Sequence, residues 1–408
     1  MPHDQSERLH ALDAVRALAL LLGIVLHASM AFLPGPQIWV TQDIAAAPGF
    51  SLAFLVPHIF RLTLFFFIAG YFGRMAIGKR GFGGFLGDRA KRIALPLVVF
   101  WGPLFAGITA AFIWGFLKAN GGVVPEGTPP PPPLELATLP LTHLWFLYLL
   151  ILFYIPAALL HLIARLAGRM TGLPNRLDQM LALALRTPLG LVLLAAPIGL
   201  WFWFSPAWYA WFGIPTPDTG FVPNTGALIA YGVAFGAGWM VQGQSGLLQA
   251  WRRWWPVNIA LALAATGYCV HKLGLTPDFI PATAGNGKAS LAAAYALASW
   301  AWTLGITGMA LQFWSGHSKV RRYIADSSYW LYLMHLPLVM ALQVVLSDLA
   351  WPGPVKFALV LAITLIVLLG SYQLLVRYSW LGAWLNGRRA RPGAAKPSPA
   401  TVLQPTQP

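Results

Sequence analysis

Long apolar runs alternate with short polar breaks along the whole chain. Ten runs, at roughly residues 11–33, 52–73, 92–117, 143–164, 187–206, 226–242, 255–273, 290–314, 325–347 and 355–376, are long enough to cross a hydrocarbon core of about 30 Å. Each is expected to be a helix, because lipid offers no partner to an open backbone N–H or C=O. No stretch of soluble polarity separates them, so the pattern predicts an all-α, polytopic integral membrane domain of about ten transmembrane helices over residues 1–386. Two segments read differently. The proline run in "GGVVPEGTPPPPPLELATLP", residues 121–140, predicts an extended, stiff connector. The tail 387–408, "GRRARPGAAKPSPATVLQPTQP", is polar and proline-rich, and is expected to be disordered and cytoplasmic.

Composition supports the same class, since 58% of the 408 residues are hydrophobic and only 10% are charged. Charge then gives the orientation. With the N-terminus inside, 21 of the 27 lysines and arginines fall on inner segments, four (Lys118, Lys272, Lys288, Lys356) on outer ones, and Arg16 and Arg61 within spans. Basic residues concentrate on the cytoplasmic side, so both termini are expected inside. Inner basic loops facing anionic lipid account for most of the net charge of +15, and no nucleic-acid partner is called for. Cys269, the single cysteine, has no disulfide partner and no metal-type spacing around it. It reads as a packing residue, and no metal site is predicted.

The first apolar run, "LDAVRALALLLGIVLHASMAF", carries Asp13, Arg16 and His27. Arg16 and His27 are separated by close to three helical turns, so they share one stripe with Gly23 nearby. Arg16 lies roughly 7 Å and His27 roughly 24 Å from the inner end of that span. Asp13 is one turn from Arg16 and can pair with it. The second span brings His58 to nearly the depth of His27, with Arg61 on the same face. His335 falls near the middle of the ninth span, and His143 opens the fourth at the outer, wet end. Charged groups at such depths are costly in lipid and are expected to face a polar cavity within the bundle.

Between the second and third spans, "GRMAIGKRGFGGFLGDRAKRIALP" combines basic residues with Gly81, Gly83, Gly84 and Gly87. A loop of this composition can wrap backbone N–H groups and cations around phosphates. It lacks the lysine and hydroxyl pattern of a P-loop, and basic inner loops also arise from topology alone.

These residues together resemble the membrane-bound acyltransferase family 3. The likeness rests on Arg16 and His27 in the first span, Arg89 and Arg92 at the third, "FFFIAGY" in the second, "HLWFL" at 143–147 and "YLMHLPL" in the ninth. Within the family it is nearest the branch of periplasmic-glucan succinyltransferases, although Ala69 stands where many members have Ser. The resemblance implies transfer of an acyl group, succinyl or acetyl, from cytoplasmic acyl-CoA to a hydroxyl of a periplasmic glycan, with no permanently bound cofactor. On that reading Arg89, Lys91 and Arg92 bind the phosphates of acyl-CoA and His27 is the general base. Asp13 orients Arg16, while His58, Arg61, His143 and His335 contact substrate or polarise the thioester. An acyl-histidine intermediate is the less favoured route. Three competing readings are an O-acetyltransferase of surface polysaccharide, a transporter lined by the same Arg and His, and a cleaved signal peptide at residues 1–31.

Overall fold

The computed structural model describes residues 2–131, 133–171, 186–283, 285 and 287–386; the tail expected to be disordered lies outside them. The described residues are helical with no strand, apart from one isolated bridge between Pro140 and Thr219. The helices are α1 (Pro2–Ser29), α2 (Phe50–Arg89), α3 (Leu95–Ala119), α4 (Trp145–Thr171), α5 (Pro188–Phe204), α6 (Thr225–Val241), α7 (Ser245–Leu273), α8 (Lys288–Phe313), α9 (Lys319–Leu346), α10 (Gly353–Ser371) and α11 (Trp380–Leu385).

Among the described residues, six helical stretches are long and apolar enough to cross a membrane: Leu9–Phe32, Phe50–Ala119, Thr142–Gly168, Lys288–Phe313, Lys319–Leu346 and Gly353–Val376. The second joins α2 and α3 into 70 residues. At 17 residues each, α5 and α6 span only about 25 Å. Local chemistry starts and stops several of the helices. Asn224 accepts from the Ala227 amide at the start of α6 and Ser318 from the Arg321 amide at the start of α9. At the end of α7, Gly274 takes φ 71°, a left-handed value that glycine adopts without strain.

The glycine-rich basic segment between the second and third spans is helical, not a loop. Helix α2 continues through the glycines to Arg89, broken only at Gly81 (φ 69°, ψ 177°), and a π-helical turn at Ala90–Ala94 carries the chain into α3. Its amides are therefore mostly engaged within helices, which leaves side chains rather than backbone to meet an anion. Phe85, fully buried, packs edge-on against Tyr154 of α4 and Trp239 of α6 and holds this last part of α2 against the bundle.

Helix α1 packs against both α2 and α9, and α2 crosses α6 closely. At that crossing a Cβ on Gly70 would collide with the Phe235 carbonyl, and one on Gly238 with the Phe67 carbonyl. Small residues that let backbones approach in this way are how helices associate in lipid.

Candidate functional site

Five of the residues singled out in the sequence converge on one cavity of about 640 Å³. His27 comes from α1, His58 and Arg61 from α2, His143 from the 3-10 turn ahead of α4, and His335 from α9. The remaining wall is largely apolar, with many aromatic rings. At one end the cavity is lined by Trp39, Pro140, Pro215, Thr216, Asp218, Thr219 and Phe279, which belong to the connectors following α1, α3, α5 and α7.

The histidines form a chain of rings. His335 lies 5.3 Å from His27 and 5.4 Å from His143, centroid to centroid. Three of them are fixed by main-chain carbonyls. His58 Nε2 donates to the Phe212 carbonyl at 2.6 Å, His143 Nε2 to the Leu333 carbonyl at 3.0 Å, and His335 Nδ1 to the Tyr332 carbonyl at 2.7 Å. Since a carbonyl can only accept, the opposite nitrogen of each neutral ring carries a lone pair. Those nitrogens, His58 Nδ1, His143 Nδ1 and His335 Nε2, are buried without a partner, as are His27 Nδ1 and Arg61 Nε.

Proline 337 explains one of these arrangements. Lacking an N–H, it cannot bond the carbonyl four residues earlier, which is that of Leu333. The carbonyl so released accepts from His143 instead. Tyr332 completes the clamp by donating its hydroxyl to the His143 carbonyl at 2.7 Å. His143 is therefore 7% exposed, not at a wet helix end as the sequence implied. The connectors cover it, with the Leu141 amide donating to the Asp218 carbonyl and the Gly220 amide to the Leu139 carbonyl.

Gly23 and the end of α1 shape the site around His27. A Cβ on Gly23 would lie 3.1 Å from Arg61 Nη1, so the missing side chain makes room for the guanidinium one turn below His27. Trp39 stacks on the His27 ring at 5.9 Å with 19° between planes. Gln343 of α9 accepts from Trp39 Nε1 at 2.8 Å and donates to the carbonyls of His27 and Ala28 at 3.0 and 2.9 Å. Trp39, Gln343, Tyr332 and Thr142, which also lines the cavity, were not singled out from sequence. Only Pro337, four residues after Leu333, offered a signal.

The other predicted site residues lie elsewhere. Arg16 does not line the cavity; it pairs with Asp13 at 3.2 Å, as expected, and lies over the Phe72 ring at 5.7 Å. Arg89 and Arg92 are not free cations. Both, with Arg80, pair with Asp88, Arg92 Nε at 3.0 Å. Arg89 also lies over the Phe85 and Tyr154 rings, whereas Lys91 is exposed. Three guanidiniums share one carboxylate, which leaves a surplus of positive charge. Cys269 is buried and free. Among the described residues no group of His, Cys, Asp or Glu is arranged to hold a metal ion.

An all-helical bundle with membrane-length apolar helices and a chain of polar side chains inside it defines a multi-pass membrane protein with an internal reaction or binding chamber. The family model described as "Acyltransferase domain", that of the acyltransferase 3 family, matches residues 9–373. The chain belongs to that family and is an acyltransferase. No curated protein and no solved structure matches it.

Proposed function

We propose that this acyltransferase moves a succinyl group from cytoplasmic succinyl-CoA to a hydroxyl of a periplasmic glucan or related envelope glycan, in a bacterial inner membrane, with His27 as general base. The observation that carries the catalytic assignment is the His27 ring, its Nδ1 unpaired, set in a cavity with Arg61, His143 and His335. A neutral imidazole there can take the proton of the attacking hydroxyl, whose oxygen then bonds to the thioester carbonyl carbon. Collapse of that adduct breaks the C–S bond, and the proton passes from His27 to the leaving thiolate, so that ester and free CoA result. Arg61 is suited to stabilise the oxyanion or to hold the free carboxylate of a succinyl group.

Several features support ten spans with both termini inside. All ten apolar runs coincide with helices α1 to α10, give or take their ends. Four of the five connectors that the charge bias assigns to the outside, those after α1, α3, α5 and α7, line the cavity. At the far end, Arg80, Arg89 and Arg92 share one carboxylate beside Lys91, a surplus suited to the phosphates of acyl-CoA. Arg16, paired to Asp13, adds charge on the same inner side.

Mass analysis of envelope glycans from cells with and without the protein tests the donor. Loss of succinyl esters is expected, loss of acetyl esters identifies an O-acetyltransferase instead, and no change in any ester refutes both. In purified protein, His27→Gln keeps a hydrogen-bonding side chain but cannot accept a proton. Its turnover is expected to fall by about 10² to 10⁴ with acyl-CoA affinity unchanged. A rate near that of the wild type would make His27 structural.

A further inference from the structure

Thr142 is the one residue other than glycine with a positive φ among the described residues, at 52°. For a β-branched side chain this left-handed region is strained and persists only when the surroundings hold it there. Here both neighbours are fixed. Before it, the Leu141 amide donates to the Asp218 carbonyl at 2.7 Å and Pro140 bridges Thr219. After it, His143 is held through its ring by Leu333 and through its carbonyl by Tyr332. The Thr142 hydroxyl is buried, lacks a hydrogen-bond partner and lines the cavity.

The strain thus delivers an unpaired hydroxyl to the cavity that also holds two unpaired lone pairs, those of His143 Nδ1 and His335 Nε2. An anion needs donors, and among the described residues the one cation lining the cavity is Arg61 of α2, whereas His143 and His335 present lone pairs. A ligand that brings its own O–H groups meets the arrangement better, because each can donate to a ring nitrogen that has no protein partner. We propose that Thr142, His143 and His335 form a hydroxyl-reading subsite, which binds a polyhydroxylated ligand through O–H groups donated to the two imidazoles and shared with Thr142. Its role as the acceptor subsite rests on the acyl-transfer reading above; the chemistry of its ligand rests on the lone pairs.

The test uses full-length protein in nanodiscs, with laminaritriose as probe and the per-O-methylated trisaccharide as a control of similar shape without O–H donors. Binding is read by calorimetry. The free sugar is expected to bind and the methylated one at least about tenfold more weakly. Thr142→Ser should bind like the wild type and Thr142→Val about tenfold more weakly. Thr142→Gly relieves the strain, so its thermal midpoint should hold or rise while its sugar affinity falls as for Val. Equal binding of the two sugars, no binding of laminaritriose at millimolar concentration, or full affinity in Thr142→Gly each overturn the proposal. Sugar binding as expected with no acyl transfer from any acyl-CoA defeats the function proposed above and leaves the subsite standing. Acyl transfer with an unchanged acceptor KM in Thr142→Val does the reverse.

Discussion

A hydrogen atom in place of a side chain at position 23 decides where the Arg61 guanidinium can rest. The clash that alanine introduces there, at 3.1 Å, meets the far end of a flexible side chain, which can give by a few tenths of an ångström. Gly23→Ala should therefore lower turnover severalfold and leave thermal stability nearly unchanged, whereas Gly23→Leu, which fills the room Arg61 occupies, should abolish activity. Initial rates and melting curves on the two purified variants check this. Gln343 acts on His27 from the other side, through Trp39 and through the last carbonyls of α1. Gln343→Leu keeps the volume but leaves three polar groups unpaired, at a cost of about 1 to 3 kcal/mol each where they are buried. It should lower kcat more than it raises the KM for acyl-CoA, because the ring it positions lies far from the arginines proposed to hold the nucleotide.

Helices α2 and α6 meet so closely that Gly70 and Gly238 face carbonyls of the opposite helix, and a backbone cannot yield as a guanidinium can. Gly238→Ala should cost about 1 to 3 kcal/mol, read as a lower thermal midpoint, with the site's chemistry intact in whatever protein remains folded. The existence of the helices was legible from the apolar runs, since the solvent dictates both their length and their type. The convergence of His27, His58, Arg61 and His335 was legible too, because helical period and depth place them on inner faces. Element ends were not. The stretch from Arg74 to Arg89 carries four glycines that lie within helix, at 78, 83, 84 and 87, and one, Gly81, that uses a left-handed conformation, and composition does not tell them apart. Contacts between distant parts of the chain were equally hidden. Gln343 bonds carbonyls 315 and 316 residues away, and the strain at Thr142 arises from neighbours fixed by Asp218, Tyr332 and Leu333.

Across the whole molecule, the connector after α1 is fastened down by a buried ion pair in which Lys356 of α10 donates to Asp43 and to the Leu349 carbonyl. Removing one partner strands a buried charge, so Lys356→Met should destabilise the protein by about 3 to 5 kcal/mol, and Asp43→Asn combined with it should recover much of that loss. Topology reporters fused after residues 130 and 215 should report outside, and those after 85 and 390 inside; finding 85 and 130 on one side refutes the ten-span arrangement. The cavity and the arginines around Asp88 occupy opposite ends of the bundle, and on the proposed reaction the acyl group, still joined to CoA by its thioester, is carried from the inner end of the electric field to the cavity, where it passes to the sugar. A succinyl group carries a negative charge along that path, whereas an acetyl group carries none. Moving one charge through the full field is worth about 2.3 kcal/mol per 100 mV, and an inside-negative potential pushes an anion outward. In proteoliposomes under a potassium diffusion potential, transfer from succinyl-CoA should therefore quicken as the interior becomes more negative, while transfer from acetyl-CoA should not respond, so the membrane voltage itself becomes a probe of which acyl group this enzyme carries.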